Sequence, residues 1–303
     1  MILYKYRGNS AFTENIFKNK NVWLSNAEGL NDPFECSIQA MAKDWIEERI
    51  KEGIDAQIMG FYQSVLIAKR EKFKDLFFGL TEKQTIEFLG KLNKKGSVEE
   101  VYNTIREFIR RKTGGELSDP RAIFSNFDKQ LNQVGIFSLS ETAENQLMWA
   151  HYGEESKGIA IGFEVEANSK LASSKYCLQV NYSDVLPAFT AKEFLCEFNM
   201  KFDSYARQTT ISKISMEDPT FKLAISTKPT CWSYEKEWRY VEEKSGAYPL
   251  PSKIKEVIFG LRCTNETKEK YKSLLKNNIQ NDISYHEIKN VPNSNKIIKI
   301  SID

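Results

Sequence analysis

The sequence predicts an α+β fold in which a strand-rich core, with mixed or antiparallel pairing, carries a large helical insertion. Short segments of alternating apolar and polar residues occur at the start of the chain and again after residue 135. Between them, apolar residues recur with a period near 3.6 in a stretch rich in Glu, Lys, Leu, Ile and Phe. The 303 residues suffice for one large core with an insertion. We expect 1–303 to be a single domain, with its core from 1–40 and 135–303 and the insertion at 41–134.

The first 40 residues predict strand, helix, strand and turn in that order. Residues Ile2 to Tyr6 alternate in polarity, Asn9 to Phe17 has helical periodicity, and Val22 to Ser25 indicates a second short strand. Asn31-Asp32-Pro33 predicts a tight turn, because Asn and Asp can hydrogen-bond the nearby backbone and Pro33 fixes its own φ.

Capping patterns and alternation predict the later elements. Thr81-Glu82-Lys83-Gln84 and Ser97-Val98-Glu99-Glu100 indicate helix starts inside the insertion, and Thr190-Ala191-Lys192-Glu193 indicates another long helix. Helices are also expected near 145–152 and 267–276, and strands near 135–140, 158–163, 176–182, 237–241, 254–259 and 296–300.

The composition excludes several classes of protein. The 43 Lys and Arg against 41 Asp and Glu give a net charge of +2, which argues against a dedicated nucleic-acid binder held mainly by phosphate contacts. The five cysteines are odd in number and form no C-x-x-C pair, so they predict reduced thiols. Two histidines are too few and too isolated for a His-based metal centre.

The chain is expected to be cytoplasmic and to have no membrane partner. Its first residues do not lead from a basic stretch into an apolar run, as a secretory signal would. No window approaches the ~18 uninterrupted apolar residues that a membrane span needs.

Two polar positions near the start are candidate binding sites. Arg7 follows the first strand, where a guanidinium could fork onto a phosphate or carboxylate or could be a solvated surface charge. Asn31, Asp32 and Glu35 could bind a hydroxylated ligand or brace the turn. Asp32 has a local role in the turn and Glu35 has none, which makes Glu35 the stronger candidate.

The middle of the chain contributes hydroxyls and rings. Ser138 and Ser140 share one strand face and could orient a sugar or amide, although Ser140 could simply start the next helix. Trp149, His151 and Tyr152 could stack on a base or nicotinamide, or could form a core stripe at helical spacing.

The densest cluster of candidates lies late in the chain. In an extended conformation, Glu235 and Glu237 project from one strand face, and two such carboxylates repel unless something needs them there. The alternative is a surface ladder in which they pair with Arg239 or Lys236.

These motifs together resemble a widespread bacterial domain family of unknown function. The resemblance spans most of the chain outside the insertion and implies no reaction. It is carried by Leu3-Tyr4-Lys5-Tyr6-Arg7, Leu30-Asn31-Asp32-Pro33-Phe34-Glu35, Phe137-Ser138-Leu139-Ser140, Met148-Trp149-Ala150-His151-Tyr152, Lys157-Gly158-Ile159-Ala160-Ile161-Gly162-Phe163 and Trp232-Ser233-Tyr234-Glu235-Lys236-Glu237-Trp238-Arg239.

A second resemblance implies a reaction. An early strand arginine, a Ser-x-Ser strand and a late Glu-x-Glu are similar to the pattern of ADP-ribosyltransferases, which implies NAD as substrate and no metal. The resemblance implies that Arg7 holds the phosphates, Ser138 with Ser140 positions the nicotinamide ribose, Glu237 hydrogen-bonds that ribose, and Glu235 orients or deprotonates the acceptor. The chain departs from the pattern at Leu139, where the family usually has threonine, and in the long helical stretch after Arg7.

Three functional hypotheses remain open from the sequence. The first is an NAD-consuming ADP-ribosyltransferase or NAD glycohydrolase with a protein or nucleic-acid acceptor, and it predicts that Arg7, Ser138 and Glu237 meet in one cleft. The second is a non-catalytic nucleotide- or protein-recognition module, and a role in bacterial stress or phage defence would suit either. The third is a metal-dependent phosphodiester hydrolase that uses Asp32, Glu35, Glu235 and Glu237 as ligands.

Overall fold

The computed structural model describes residues 1–32, 34–72, 77–190, 194–202, 208–279 and 282–302. Helices and a large sheet are both present, which confirms the predicted α+β class. The α-helices are α1 Ala11–Asn19, α2 Lys43–Arg70, α3 Glu82–Leu92, α4 Val98–Thr113, α5 Arg121–Ser125, α6 Phe127–Gln133, α7 Gln146–Tyr152, α8 Pro219–Ser226 and α9 Asn265–Asn278. The strands are β1 Ile2–Arg7, β2 Asn21–Leu24, β3 Gly135–Ser140, β4 Ile159–Glu164, β5 Cys177–Gln179, β6 Asn181–Tyr182, β7 Cys196–Phe202, β8 Gln208–Ile214, β9 Thr227–Lys228, β10 Glu237–Glu242, β11 Gly246–Pro249, β12 Ile254–Phe259, β13 Ser284–Asn290 and β14 Ile297–Ser301.

The largest sheet in these ranges has eight strands in the order β14-β13-β12-β4-β1-β3-β10-β5. Its neighbours pair antiparallel except β12 and β13, which are parallel, so the sheet is mixed and mostly antiparallel. Two-stranded sheets join β2 with β11, β6 with β9, and β7 with β8.

The chain forms two compact units. The first comprises Met1–Gln39, Lys129–Pro187 and Pro219–Asp303, and it contains the eight-stranded sheet. The second comprises Ala40–Asp128 and Ala188–Asp218. Most of the helical stretch expected at 41–134 therefore lies in the second unit, together with the β7–β8 pair.

The first unit buries both faces of its sheet. Because successive strand residues point to opposite faces, Leu3 and Ile161 enter one apolar cluster while Tyr4 and Ala160 enter another. The first cluster also takes residues of α1 and α9, and the second takes Met148 and Trp149 of α7. Helices therefore cover the two faces, as the alternation of apolar side chains requires.

The second unit has an apolar core of its own and confirms two expected helix starts. One apolar cluster of this unit contains the buried residues Phe61, Val65, Phe77, Leu92 and Ile105. The Thr81 side chain accepts a hydrogen bond from the Gln84 backbone, and the Gln84 side-chain oxygen accepts one from the Thr81 backbone, so the capping box is complete. The Ser97 side chain accepts from the Glu100 backbone at the start of α4.

Two local expectations were wrong. The long helix expected from Thr190-Ala191-Lys192-Glu193 does not follow: Ala191 to Glu193 lie outside the described residues, and the next element is the strand β7. Strand β7 pairs with β8 over seven positions, and this pairing overrides a short capping pattern.

The second wrong expectation is the strand at Glu235, because Thr230–Glu235 forms a 3-10 helix. Pro33 of the expected turn also lies outside the described residues.

Among the helices of the described ranges, none combines the length and apolar character that a bilayer crossing needs.

Candidate functional site

A cavity of about 460 Å³ lies where β1 and β3 separate. These fully described strands pair at a single position, Tyr4 with Ser140, whereas β1 pairs with β4 and β3 with β10 over six positions each. Residues of both strands beyond that point line the cavity, including Lys5, Arg7 and Ser138. The volume is within the range of small-molecule sites, roughly 300 to 1,000 Å³.

Arg7 brings an unpaired guanidinium to this cavity. Within the described part of the chain, its buried Nε has no hydrogen-bond partner, and no carboxylate forms an ion pair with it. Burial lowers the pKa of Arg7 from its usual value, although a guanidinium stays charged at neutral pH. Gly158 permits a close backbone approach at the end of β1, since a Cβ at this glycine would collide with the Arg7 carbonyl oxygen.

Lys5 is a second cation in the same gap. Its Nζ donates to the Ser138 carbonyl oxygen at 2.8 Å, a bond that replaces backbone pairing where the strands separate. Lys5 Nζ stands 4.7 Å from the centre of the Phe137 ring, and Arg7 Cζ stands 6.0 Å from the same centre. Burial, with the neighbouring charge of Arg7, lowers the pKa of Lys5 to about 7.

The carboxylates of the cavity belong to a buried ion network, which we define as Glu35, Lys228, Glu235, Glu237 and Arg239. Lys228 Nζ lies 3.0 Å from Glu35 Oε1, 2.6 Å from Glu235 Oε2 and 3.3 Å from Glu237 Oε2. All three glutamates are at most 5% exposed. Ionised groups are buried this deeply when they are paired, and one ammonium here pairs with three carboxylates.

Arg239 closes the ion network from the other side. Its Nε lies 3.1 Å from Glu237 Oε1, its Nη2 contacts Glu35 Oε2, and its Nη1 donates to the Ile225 carbonyl oxygen at 2.7 Å. The sequence alternative of a surface charge ladder is therefore wrong. Arg239 does pair with Glu237, but both side chains are buried.

The charges of the ion network determine which groups are ionised. Burial alone would raise the pKa of Glu237, but Arg239 and Lys228, with a hydrogen bond from Ser138, outweigh it and lower the pKa to about 2. Burial would lower the pKa of Lys228, but the three carboxylates raise it above its usual value. Glu237 and Lys228 are therefore both charged at neutral pH.

A chain of hydrogen bonds fixes Glu235 at the cavity wall. The Asn31 side chain donates to the Tyr152 hydroxyl at 2.9 Å, and that hydroxyl donates to Glu235 Oε1 at 2.6 Å. The buried Ser140 hydroxyl donates to the Glu235 carbonyl oxygen at 2.6 Å. Glu235 thus faces both the cavity and Lys228.

The remaining candidates from the sequence lie at the cavity, in the core and in a turn. His151 is exposed and lines the cavity beside Tyr152, at 6.1 Å between ring centres. Trp149 lies in the core, where its indole donates to the Ala143 carbonyl oxygen at 2.7 Å. Asp32 braces the turn by accepting from the Phe34 backbone at 2.9 Å.

Sequence reasoning missed two cations, Lys5 and Lys228. Strand alternation already places Lys5 two residues before Arg7, so that both side chains leave the same face of β1. Lys228 precedes Pro229 and carries no local signal that it is buried among carboxylates brought from residues 35, 235 and 237.

Residues 148–240 match the family model described as Protein of unknown function (DUF2971). This match confirms the resemblance to a domain family of unknown function over that segment. The DUF2971 segment contains Tyr152 and four of the five members of the ion network, whereas Lys5, Arg7 and Glu35 lie before it. No curated protein and no solved structure matches the chain.

The carboxylates are not arranged as a cation site. In the described ranges, no group of three or more His, Cys, Asp or Glu residues could hold a metal ion. The position between the glutamates is taken by the Lys228 ammonium, and Asp32 serves the turn instead. The three glutamates needed for the hydrolase hypothesis are therefore already paired with two of the protein's own cations, Lys228 and Arg239.

Proposed function

We propose that this chain binds NAD in the cavity between β1 and β3 and cleaves its nicotinamide glycosidic bond, as an ADP-ribosyltransferase-like enzyme or NAD glycohydrolase. One observation carries the proposal: Arg7, Ser138 and Glu237 come from three neighbouring strands and line one cavity. A cleft shared by these three residues is what the arginine, serine, glutamate pattern requires.

The charges around the cavity suit the parts of this substrate. Arg7 has no partner in the protein among the described residues, so its guanidinium is free to fork onto a diphosphate. The Ser138 hydroxyl borders the same space and can bond a ribose. Glu237 is ionised and lines the same cavity, which supports a contact with the ribose ring.

The chemistry needs a carboxylate that stays negative. When the bond between ribose C1′ and the nicotinamide nitrogen breaks, nicotinamide leaves with the electron pair and the ribose becomes oxocarbenium-like. Glu237 stabilises this positive charge because its pKa is about 2. A water or acceptor nucleophile then bonds to C1′ and loses its proton, and Glu235 is the nearby carboxylate for that role.

The recognition-module alternative is favoured by a different observation. Lys228 forms ion pairs with both Glu235 and Glu237. Buried carboxylates need such pairing in a cavity that only binds a ligand, so their presence does not require a catalytic role. On that alternative, the chain binds NAD or a related nucleotide and releases no nicotinamide. Turnover, measured separately from binding, distinguishes the two.

The test is nicotinamide release from NAD by the wild-type protein and by Glu237→Gln. This substitution keeps the size of the side chain and removes its charge. We expect release by the wild type and a loss of roughly 100-fold or more in the variant, the scale seen when one electrostatic stabiliser is removed. Cell extract is added as a source of acceptor in a parallel assay.

Glu256→Gln is the matched control, since Glu256 is also buried and ion-paired, at 2.8 Å to Lys299, but lies outside the cavity. Melting curves of both variants confirm that they are folded. Equal nicotinamide release by the wild type and Glu237→Gln would contradict the catalytic role of Glu237. Binding of NAD with no release, with or without extract, would support the recognition module.

A further inference from the structure

The two cations of β1, Lys5 and Arg7, stand over one aromatic ring in the cavity. Lys5 Nζ and Arg7 Cζ lie 4.7 Å and 6.0 Å from the centre of the Phe137 ring. Within the described residues, neither forms an ion pair, and Lys5 donates to a neutral carbonyl oxygen. Two like charges in a partly buried gap repel each other more strongly than in water, so this arrangement favours an anion between them.

The nearby carboxylates do not supply that anion. Glu235 and Glu237 face Lys5 closely enough to raise its pKa, but both are in contact with Lys228, and Glu237 also with Arg239. The ion network has two cations for its three carboxylates, so at most one of its negative charges is left to balance the two cations Lys5 and Arg7. The positive charge on the β1 side of the cavity is left for a ligand.

We propose that Lys5 is a second anion-binding residue of the cavity, which takes up a proton when a phosphate group binds between it and Arg7. The anion class is phosphate or sulfate, from a free ion or from the diphosphate of a nucleotide. The nucleotide source rests on the proposed function; the anion site does not.

Burial and the neighbouring charges act on the pKa of Lys5 in opposite directions. Burial and the cations Arg7 and Lys228 lower the pKa of Lys5, whereas Glu237 and Glu235 raise it. The net result is a pKa of about 7, so a fraction of the lysines is neutral at physiological pH. An anion favours the charged amine, so binding draws a proton from solution and weakens as pH rises above about 7.

The test is calorimetric binding of two probes, inorganic sulfate and ADP-ribose, to the full chain. Neither probe changes its charge between about pH 6 and about pH 9, so proton uptake reports the protein. Titration in two buffers of different ionisation enthalpy measures that uptake. We expect the wild type to bind ADP-ribose more weakly by about tenfold at the upper pH.

Two variants and a control isolate the amine. Lys5→Met should weaken both probes by about tenfold and abolish proton uptake. Lys5→Arg should keep the binding but lose its pH dependence, since a guanidinium does not titrate in this range. Lys170→Met is the control, because Lys170 also stands over a ring, 4.6 Å from the centre of Tyr176, but pairs with Glu242 outside the cavity.

The outcomes separate this inference from the enzymatic proposal. Weaker binding in Lys5→Met, with proton uptake only in the wild type, supports the anion site even if NAD is never cleaved. Binding that is unchanged in Lys5→Met, or that involves no proton uptake in the wild type, overturns it. Sulfate binding without ADP-ribose binding assigns the site to free anions, and it counts against NAD as the ligand.

Discussion

Lys228 Nζ lies 2.6 Å from Glu235 Oε2, and both side chains are at most 3% exposed. The two residues are seven positions apart, one on β9 and the other at the end of the 3-10 helix before β10. Glu35 and Glu237 contact the same ammonium. One lysine is therefore shared by three buried carboxylates, two of which also pair with Arg239.

The first prediction concerns stability. Lys228→Met should lower the free energy of unfolding by about 3 to 5 kcal/mol, because it leaves buried Glu235 without a cation and leaves Glu35 and Glu237 with Arg239 alone. Urea unfolding at neutral pH measures the change. The control is Lys253→Met, which removes an exposed pair with Glu166 and should cost less than about 1 kcal/mol. Similar losses in both variants would show that Lys228 is not needed to balance the glutamates.

The second prediction concerns acid. The folded pKa of Glu237, about 2, lies below the unfolded value of about 4.3. Its contribution to stability is therefore complete above about pH 4.3 and is lost as the pH falls towards 2. Glu237→Gln lacks this contribution, so the difference in melting temperature between wild type and variant should shrink over that interval. A difference that stays constant down to the folded pKa would contradict the assigned charge.

The third prediction concerns the open side of the cavity, where Trp23 is 62% exposed. An exposed indole at a nucleotide site can stack on a base, a contact worth about 1 to 3 kcal/mol. Trp23→Ala should therefore weaken ADP-ribose binding by about tenfold and leave sulfate binding unchanged. Phe34→Ala is the control, since Phe34 is 71% exposed and does not line the cavity. Equal weakening of the two probes would point to a general distortion of the cavity.

The local sequence pattern was sufficient to predict many of the strands of the first unit. Alternation in Ser138-Leu139-Ser140 predicted β3, and the segment Ile254 to Phe259 was predicted as a strand with the bounds observed for β12. These signals work because burial of one or both strand faces fixes the side-chain period. Strand β13 was not foreseen, since Tyr285, His286 and Glu287 alternate without a clear apolar face.

The ion network could not be predicted by the same means. The proximity of Glu235 and Glu237 was foreseen, but for a strand geometry that the chain does not adopt at Glu235. Both meet Lys228 because Lys236 has a left-handed backbone, with φ of 46°, which turns the chain between them. Such a meeting depends on contacts distant in sequence, above all with Glu35, and no short pattern encodes it.

The single pairing of β1 with β3 makes the large sheet two ribbons joined by a seam, five strands on one side and three on the other. Arg7 belongs to the wider ribbon, and Ser138 and Glu237 belong to the narrower one. A ligand that touches all three residues would act as a clasp across the seam. The amide protons of Tyr6 and Ser138 lie at the edges of the two ribbons, so they should report whether a ligand bridges the seam.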